Sequence, residues 1–136
     1  MSSIDHQAKI ITVVAAIIRN EHGHLLLVRK RGTAFFMQVG GKLEQGEYPE
    51  QSLLREIQEE ISVEATIEHY VGEIHTQAAN EAGFALRAYL YEVAITGQVQ
   101  AAAEIEELIW LDPTQPQAVA LAPLTQDVVL PYIRQA

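Results

Sequence analysis

The sequence contains no cysteine. That excludes disulfides, thiolate zinc sites and a cysteine nucleophile together, and it fits a chain that works in the cytoplasm, the expected location. Positive charge is scarce: 9 lysines and arginines stand against 18 aspartates and glutamates, a formal net charge of −9. A protein that binds polymeric nucleic acid needs a basic face to neutralise phosphates, so no such partner is expected. Long apolar runs are missing as well. None approaches the length of a membrane span, and Met1 to Lys9 is polar with no apolar signal core, so no membrane partner is expected. A small phosphorylated ligand stays open, because a bound cation neutralises carboxylates and phosphates together.

What is present is enough apolar material for a core. Apolar residues make up 49% of the 136, and charged residues 20%. One domain over 1–136 is expected.

Lys9 to Arg19 reads as a strand that is apolar on both faces, as a strand inside a covered sheet must be. Asn20 to Gly23 is turn chemistry. Leu25 to Arg29 reads as a second strand, paired back onto the first. Lys30 to Ala34 reads as a loop and Phe35 to Val39 as a short third strand, which Gly40-Gly41 ends. Pro49 suits the first position of a helix, since its missing N–H has no helical partner there. Tyr48 is a poor N-cap, and Glu47 is expected to compensate at the positive helix end. Leu53, Leu54, Ile57 and Ile61 then recur at helical spacing over Pro49 to Ile61.

Val63 to Thr76 reads as a strand bent near Gly72, and Phe84 to Ile95 as a long strand. Loops span Ala78 to Gly83 and Gly97 to Ala103. Leu108 to Leu111 reads as a final strand. The stretch from Pro113 is Pro- and Ala-rich and ends in a helix over Leu124 to Leu130. Interleaved strands and helices predict an α/β fold, a mixed sheet with helices on its faces.

The informative stretch is the acidic helix. Glu56, Glu59 and Glu60 stand at i, i+3 and i+4, so their carboxylates share one face, beside the buried stripe of Ile57 and Ile61. Three like charges this close repel, and a divalent cation relieves the cost. Carboxylate oxygens are hard ligands that suit Mg²⁺, or Mn²⁺, better than Zn²⁺. Arg55 can brace the cluster through a bidentate contact. Taken alone, such a pattern is more commonly a solvated helix face. The Gly40-Gly41 pair and Glu47 ahead of it shift the balance, because glycines let the backbone approach a metal or phosphate closely.

With these residues in place, the chain resembles the Nudix hydrolase family, the MutT-like pyrophosphohydrolases. The family box runs from Gly41 through Glu47 and Arg55-Glu56-Ile57-Gln58-Glu59-Glu60-Ile61-Ser62 to Val63. One specified position departs: Ser62 stands where the family has glycine. The family glycine ends the helix with positive φ, and serine is expected to adopt that geometry at a small cost in stability. Leu25 to Gly32 is similar to the family's lead-in, and Trp110-Leu111-Asp112-Pro113 to a later segment.

The resemblance implies an α/β/α sandwich around a mixed sheet. It implies Mg²⁺-dependent hydrolysis of a phosphoanhydride bond in a nucleoside diphosphate linked to another group. By match to the box it implies Glu56, Glu59 and Glu60 as metal ligands, the carbonyl of Gly40 as a further ligand, and Glu47 and Arg55 as braces. The general base stays open between Glu56 and Glu104, with Glu106 and Glu107 nearby. Arg29 and Arg31 are candidates to hold phosphates, Phe35 or Phe36 to stack on a base, and Asn80 to read a base edge. The extra motifs of NADH, ADP-ribose and coenzyme A members are not found, which leaves a nucleoside triphosphate or modified nucleotide. The competing reading is a non-catalytic module that senses a nucleotide or binds a protein. Tyr89, Tyr91 and the apolar C-terminal segment are candidates for a homodimer surface or for the core.

Overall fold

The computed structural model describes residues 3–115 and 118–135. The Pro- and Ala-rich reading of the chain after Pro113 therefore applies on either side of positions 116–117, which lie outside the described residues. The elements are β1 (Ile4–Asp5), β2 (Ile10–Ile17), β3 (Leu25–Lys30), β4 (Val39–Lys42), α1 (Pro49–Ile61), β5 (Glu64–Gln77), β6 (Ala85–Thr96), β7 (Ile105–Leu111) and α2 (Leu130–Arg134), with a π-helical turn over Leu124–Val129 leading into α2.

β2 lies at the centre. β6 pairs parallel along one edge. On the other edge β1 pairs antiparallel at Ile10 and Ile11, and β4 antiparallel from Val13 to Ala16. β5 closes the sheet antiparallel to β6. β3 and β7 form a separate antiparallel pair.

Side chains alternate across a strand, so β2 and β3 each feed two cores. Val14, Ala16, Ile18, Leu26 and Val28 pack with Leu53, Ile57 and Ile61 of α1. Ala15, Ile17, Leu25 and Leu27 pack on the other side with Leu124, Val129, Leu130 and Ile133. The sheets are thus sandwiched between α1 and the C-terminal helix, which makes the α/β/α arrangement. The same alternation explains why β2 reads as apolar on both faces. Tyr91 is buried in the α1-side core, and Tyr89 packs against that core partly buried.

Four expectations are corrected. β3 does not pair along the first strand: after one bridge at Arg19–Leu25 it turns away to β7, because β1 and β4 hold that edge of β2. Gly40 and Gly41 do not end a strand but lie inside β4. A Cβ at Gly40 would stand 2.0 Å from the Val14 carbonyl oxygen, so close approach requires the glycine. Phe36 and Met37 make isolated bridges only, to Leu121 and Val28, and the strand begins at Val39. The last strand starts at Ile105, not Leu108, and the short β1 has no counterpart in the expected elements.

α1 has the expected limits. Glu47 makes its contacts with Arg55 (below), and the Tyr48 N–H lies 3.5 Å from Gln51 Oε1, a weak cap. At the other end Ser62 is left-handed, φ 60° and ψ 37°, and its N–H donates to Gln58 O at 3.1 Å. The helix is intact through Ile61. The π-helical turn precedes Pro131, whose ring crowds the carbonyl four residues back and has no N–H to give. The wider turn lets the Leu130 N–H reach Thr125 O.

Left-handed backbone costs a serine more than a glycine. Ser62→Gly is expected to raise unfolding stability by about 1 kcal/mol. Urea denaturation checks this, and a lowered midpoint would refute the strained-cap account.

Candidate active site

The helical period puts Glu56, Glu59 and Glu60 on one side of α1, facing β4. Their surroundings differ. Glu60 is 5% exposed. Its Oε1 accepts from the Gly40 N–H at 3.2 Å, and Lys30 Nζ lies 3.7 Å from its Oε2. Burial nevertheless dominates and pushes its carboxyl up to about 7. Glu56 is also raised, mainly by burial and against the pull of Arg55. A Cβ at Gly41 would stand 2.6 Å from the Glu56 carboxyl carbon, so only glycine leaves that carboxylate its place.

Arg55 gathers the other acidic groups, Glu47, Glu56 and Glu59. Nε and Nη2 grip Glu47 at 3.1 and 3.0 Å. Nη1 donates to Glu56 Oε1 at 3.0 Å and to both Glu59 oxygens at 3.3 Å. The grip on Glu47 is the main reason its carboxyl is lowered and the guanidinium is held still more firmly charged.

A cavity of about 300 Å³ opens on this acidic wall. It is lined by Glu44, Glu56, Glu59 and Glu60, by Lys30, Gly41 and Lys42, and by Ala103 and Glu104 from the loop before β7. That loop is strapped to the end of α1: Gln100 N–H donates to Ile61 O and Ala102 N–H to Glu60 O. The Glu104 carbonyl in turn accepts from Arg31 N–H at 2.8 Å.

A second cavity, of about 270 Å³, adjoins the first and shares Lys30, Gly41 and Lys42 with it. Its other lining is largely apolar, including Ile11, Val13, Met37, Leu86 and Leu124, with Gln38 in the lining and Asn80 from the loop between β5 and β6. A small cleft with few polar groups is the usual form of a ligand pocket.

The structure thus brings together Gly40, Gly41, Glu47, Arg55, Glu56, Glu59, Glu60 and Glu104, and places Asn80 at the neighbouring cavity. Arg29, Arg31 and Phe35 line neither cavity. Arg29 is paired with Glu107 at 2.6 Å and Arg31 lies 3.7 Å from Glu106. Phe36 is in the core. Sequence reasoning missed Lys30, Lys42 and Glu44. The signal available for Lys30 was its place between two arginines already suspected of holding phosphate.

The donors on the acidic wall are all hard oxygens, chemistry that suits a divalent cation such as Mg²⁺ or Mn²⁺. Among the described residues no three acidic or histidine groups converge as a ready-made ion site, since Arg55 holds Glu56 and Glu59. The fit is one of donor chemistry and shared wall. Two carboxyls there are disfavoured as bare anions, the condition that a bound cation relieves.

Comparison with known proteins identifies the family. A family model described as NUDIX domain matches residues 9–132. The CTP pyrophosphohydrolase of Escherichia coli (strain K12) is 31% identical over 119 residues, 85% of each chain. An 8-oxo-dGTP diphosphatase of Haemophilus influenzae is 48% identical over 61 residues, 42% of this chain and 45% of that one, so this chain spans under half the length of that relative. The solution structure of the E. coli ORF135 protein superposes with a TM-score of 0.70 at 31% identity, covering 94% of this chain and 89% of that one. No helix among the described residues is long and apolar enough to cross a membrane.

The raised Glu60 carboxyl sets a pH dependence for the metal-free protein. Its folded pKa, about 7, lies above the ordinary 4.5. The neutral form is favoured by folding, so this stabilisation is complete below pH 4.5 and is lost as pH rises through 7. Glu60→Gln is expected to flatten the fall in melting temperature between those values in a chelator-treated sample. Identical slopes in the two proteins would show that Glu60 ionises without penalty.

Proposed function

The chain belongs to the NUDIX family, and from that premise we propose that it hydrolyses a phosphoanhydride bond in a nucleoside diphosphate linked to a further group. The substrate is a nucleoside triphosphate or a modified nucleotide. The observation that carries this reading is the pair of adjoining cavities. One is acidic and suits a cation with phosphates; the other is apolar and suits a nucleobase; Lys30 and Lys42 stand where the two meet.

Glu56, Glu59 and Glu60, with the carbonyl of Gly40, would hold Mg²⁺, or Mn²⁺ in its place. When bound, the cation neutralises charge on the phosphates and eases departure of the leaving group. The chain's own residues do the rest. Arg55, braced by Glu47, sets the rotamers of Glu56 and Glu59. Lys30 and Lys42 place positive charge beside the phosphate chain. Water attacks one phosphorus, the bridging P–O bond breaks, and the water's proton passes to a carboxylate. Glu104 is the better placed base, because Glu56 would be taken up as a metal ligand, whereas Glu104 reaches the same cavity from the loop before β7 and is not one of the ligands. The relatives named for CTP and for 8-oxo-dGTP support a nucleotide substrate without choosing a base.

The test is phosphate and pyrophosphate release over a panel of nucleoside triphosphates, oxidised nucleotides, dinucleoside polyphosphates and nucleotide sugars, with Mg²⁺ or Mn²⁺. Turnover of at least one compound is expected, reduced about 100-fold or more in Glu60→Gln and Glu104→Gln. A folded protein that binds a nucleotide and turns over none of the panel would be a sensor, and the hydrolase reading would fall.

A further inference from the structure

Gln38 precedes β4 and is 5% exposed. Its Oε1 accepts a hydrogen bond of 2.6 Å from the Thr125 hydroxyl, and Thr125 is itself fully buried. That bond orients the carboxamide and leaves Nε2 as a donor. Among the described residues Nε2 has no partner. Native proteins seldom bury an amide donor unpaired, and such groups recur where a ligand supplies the missing acceptor. Gln38 lines the apolar cavity beside Met37, Leu86 and Leu124.

We propose that Gln38 reads the nucleobase: Nε2 donates to an exocyclic carbonyl oxygen of a base seated in the apolar cavity. The inference rests on the nucleotide reading given above and narrows it. Cytosine, uracil, guanine and oxidised guanine carry such a carbonyl. Adenine carries none, and its exocyclic group is a second donor that meets the amide with like polarity. The acceptor must project from the ring, because the amide nitrogen is shielded from solvent. Seating the base takes a side-chain adjustment that the unbranched, adaptable Met37 in the same lining allows. Thr125 is the positioning residue. It sits in the π-helical turn, and without its hydroxyl the carboxamide is free to present either end.

Discrimination by a buried donor is strong because the wrong ligand leaves it unpaired. The test is calorimetric titration of the full chain, in chelator, with the monophosphates CMP, UMP, GMP and AMP. The wild type is expected to bind at least one of CMP, UMP and GMP about tenfold more tightly than AMP. Gln38→Met, close in volume and without polar atoms, is expected to shrink that preference to about twofold or less. It also strips the Thr125 hydroxyl of its acceptor, so Gln38→Met/Thr125→Val is measured beside it, with the same expected loss and a melting temperature at or above that of the single variant. A preference that survives in both variants, equal binding of AMP by the wild type, or no binding of any monophosphate overturns the proposal. Binding here needs neither metal nor turnover. A protein that hydrolyses nothing yet keeps the Gln38-dependent preference would sink the hydrolase reading alone.

Discussion

Like charges one helical turn apart repel, and the acidic wall is organised by how that repulsion is met. Arg55 meets it for Glu47, Glu56 and Glu59 with a single guanidinium. Glu60 lies beyond its reach and is buried instead, against the Gly40 N–H and near Lys30. The supporting structure follows from that division. β4 runs close to both neighbours, Gly40 against the Val14 carbonyl of β2 and Gly41 against the Glu56 carboxylate of α1, so its residues there are glycines. The loop before β7 must be tied to the end of α1 to bring Glu104 across, and two backbone hydrogen bonds tie it. Arg55 and Glu60 balance charge in opposite ways, one by pairing and one by favouring the neutral acid.

Much of this was legible in the sequence. The helix over Pro49 to Ile61 follows from a proline at its first position and four apolar residues at helical spacing. The shared face of the three glutamates follows from the same period. The double-sided character of β2 follows from its apolar run, which only Thr12 interrupts. The left-handed Ser62 was expected from the family resemblance alone, in which a glycine stands at that position.

What stayed hidden depends on partners far away in the chain. Nothing near Leu25 shows that β1 and β4 occupy the edge of β2, so the hairpin expected between the first two strands is reduced to one bridge. A glycine pair looks the same in sequence whether it ends a strand or lets one approach a carboxylate. Alternation along β3 sets Lys30 on the α1-side face with Leu26 and Val28, but nothing near it in sequence shows that the flanking arginines are taken up by Glu107 and Glu106. Gln38 gives no local sign of burial either. Only the folded chain brings it to Thr125, 87 positions later.

The two cavities draw on different parts of the chain. The acidic one is built mainly from β4, α1 and the strap before β7; the apolar one from β2, the loop between β5 and β6, and the segment around Leu124. Lys30, Gly41 and Lys42 alone belong to both linings. Mutational drift can therefore act on one wall without disturbing the other. A lineage built on this scaffold is free to exchange one nucleotide for another while inheriting its chemistry unchanged, provided those three shared positions are conserved.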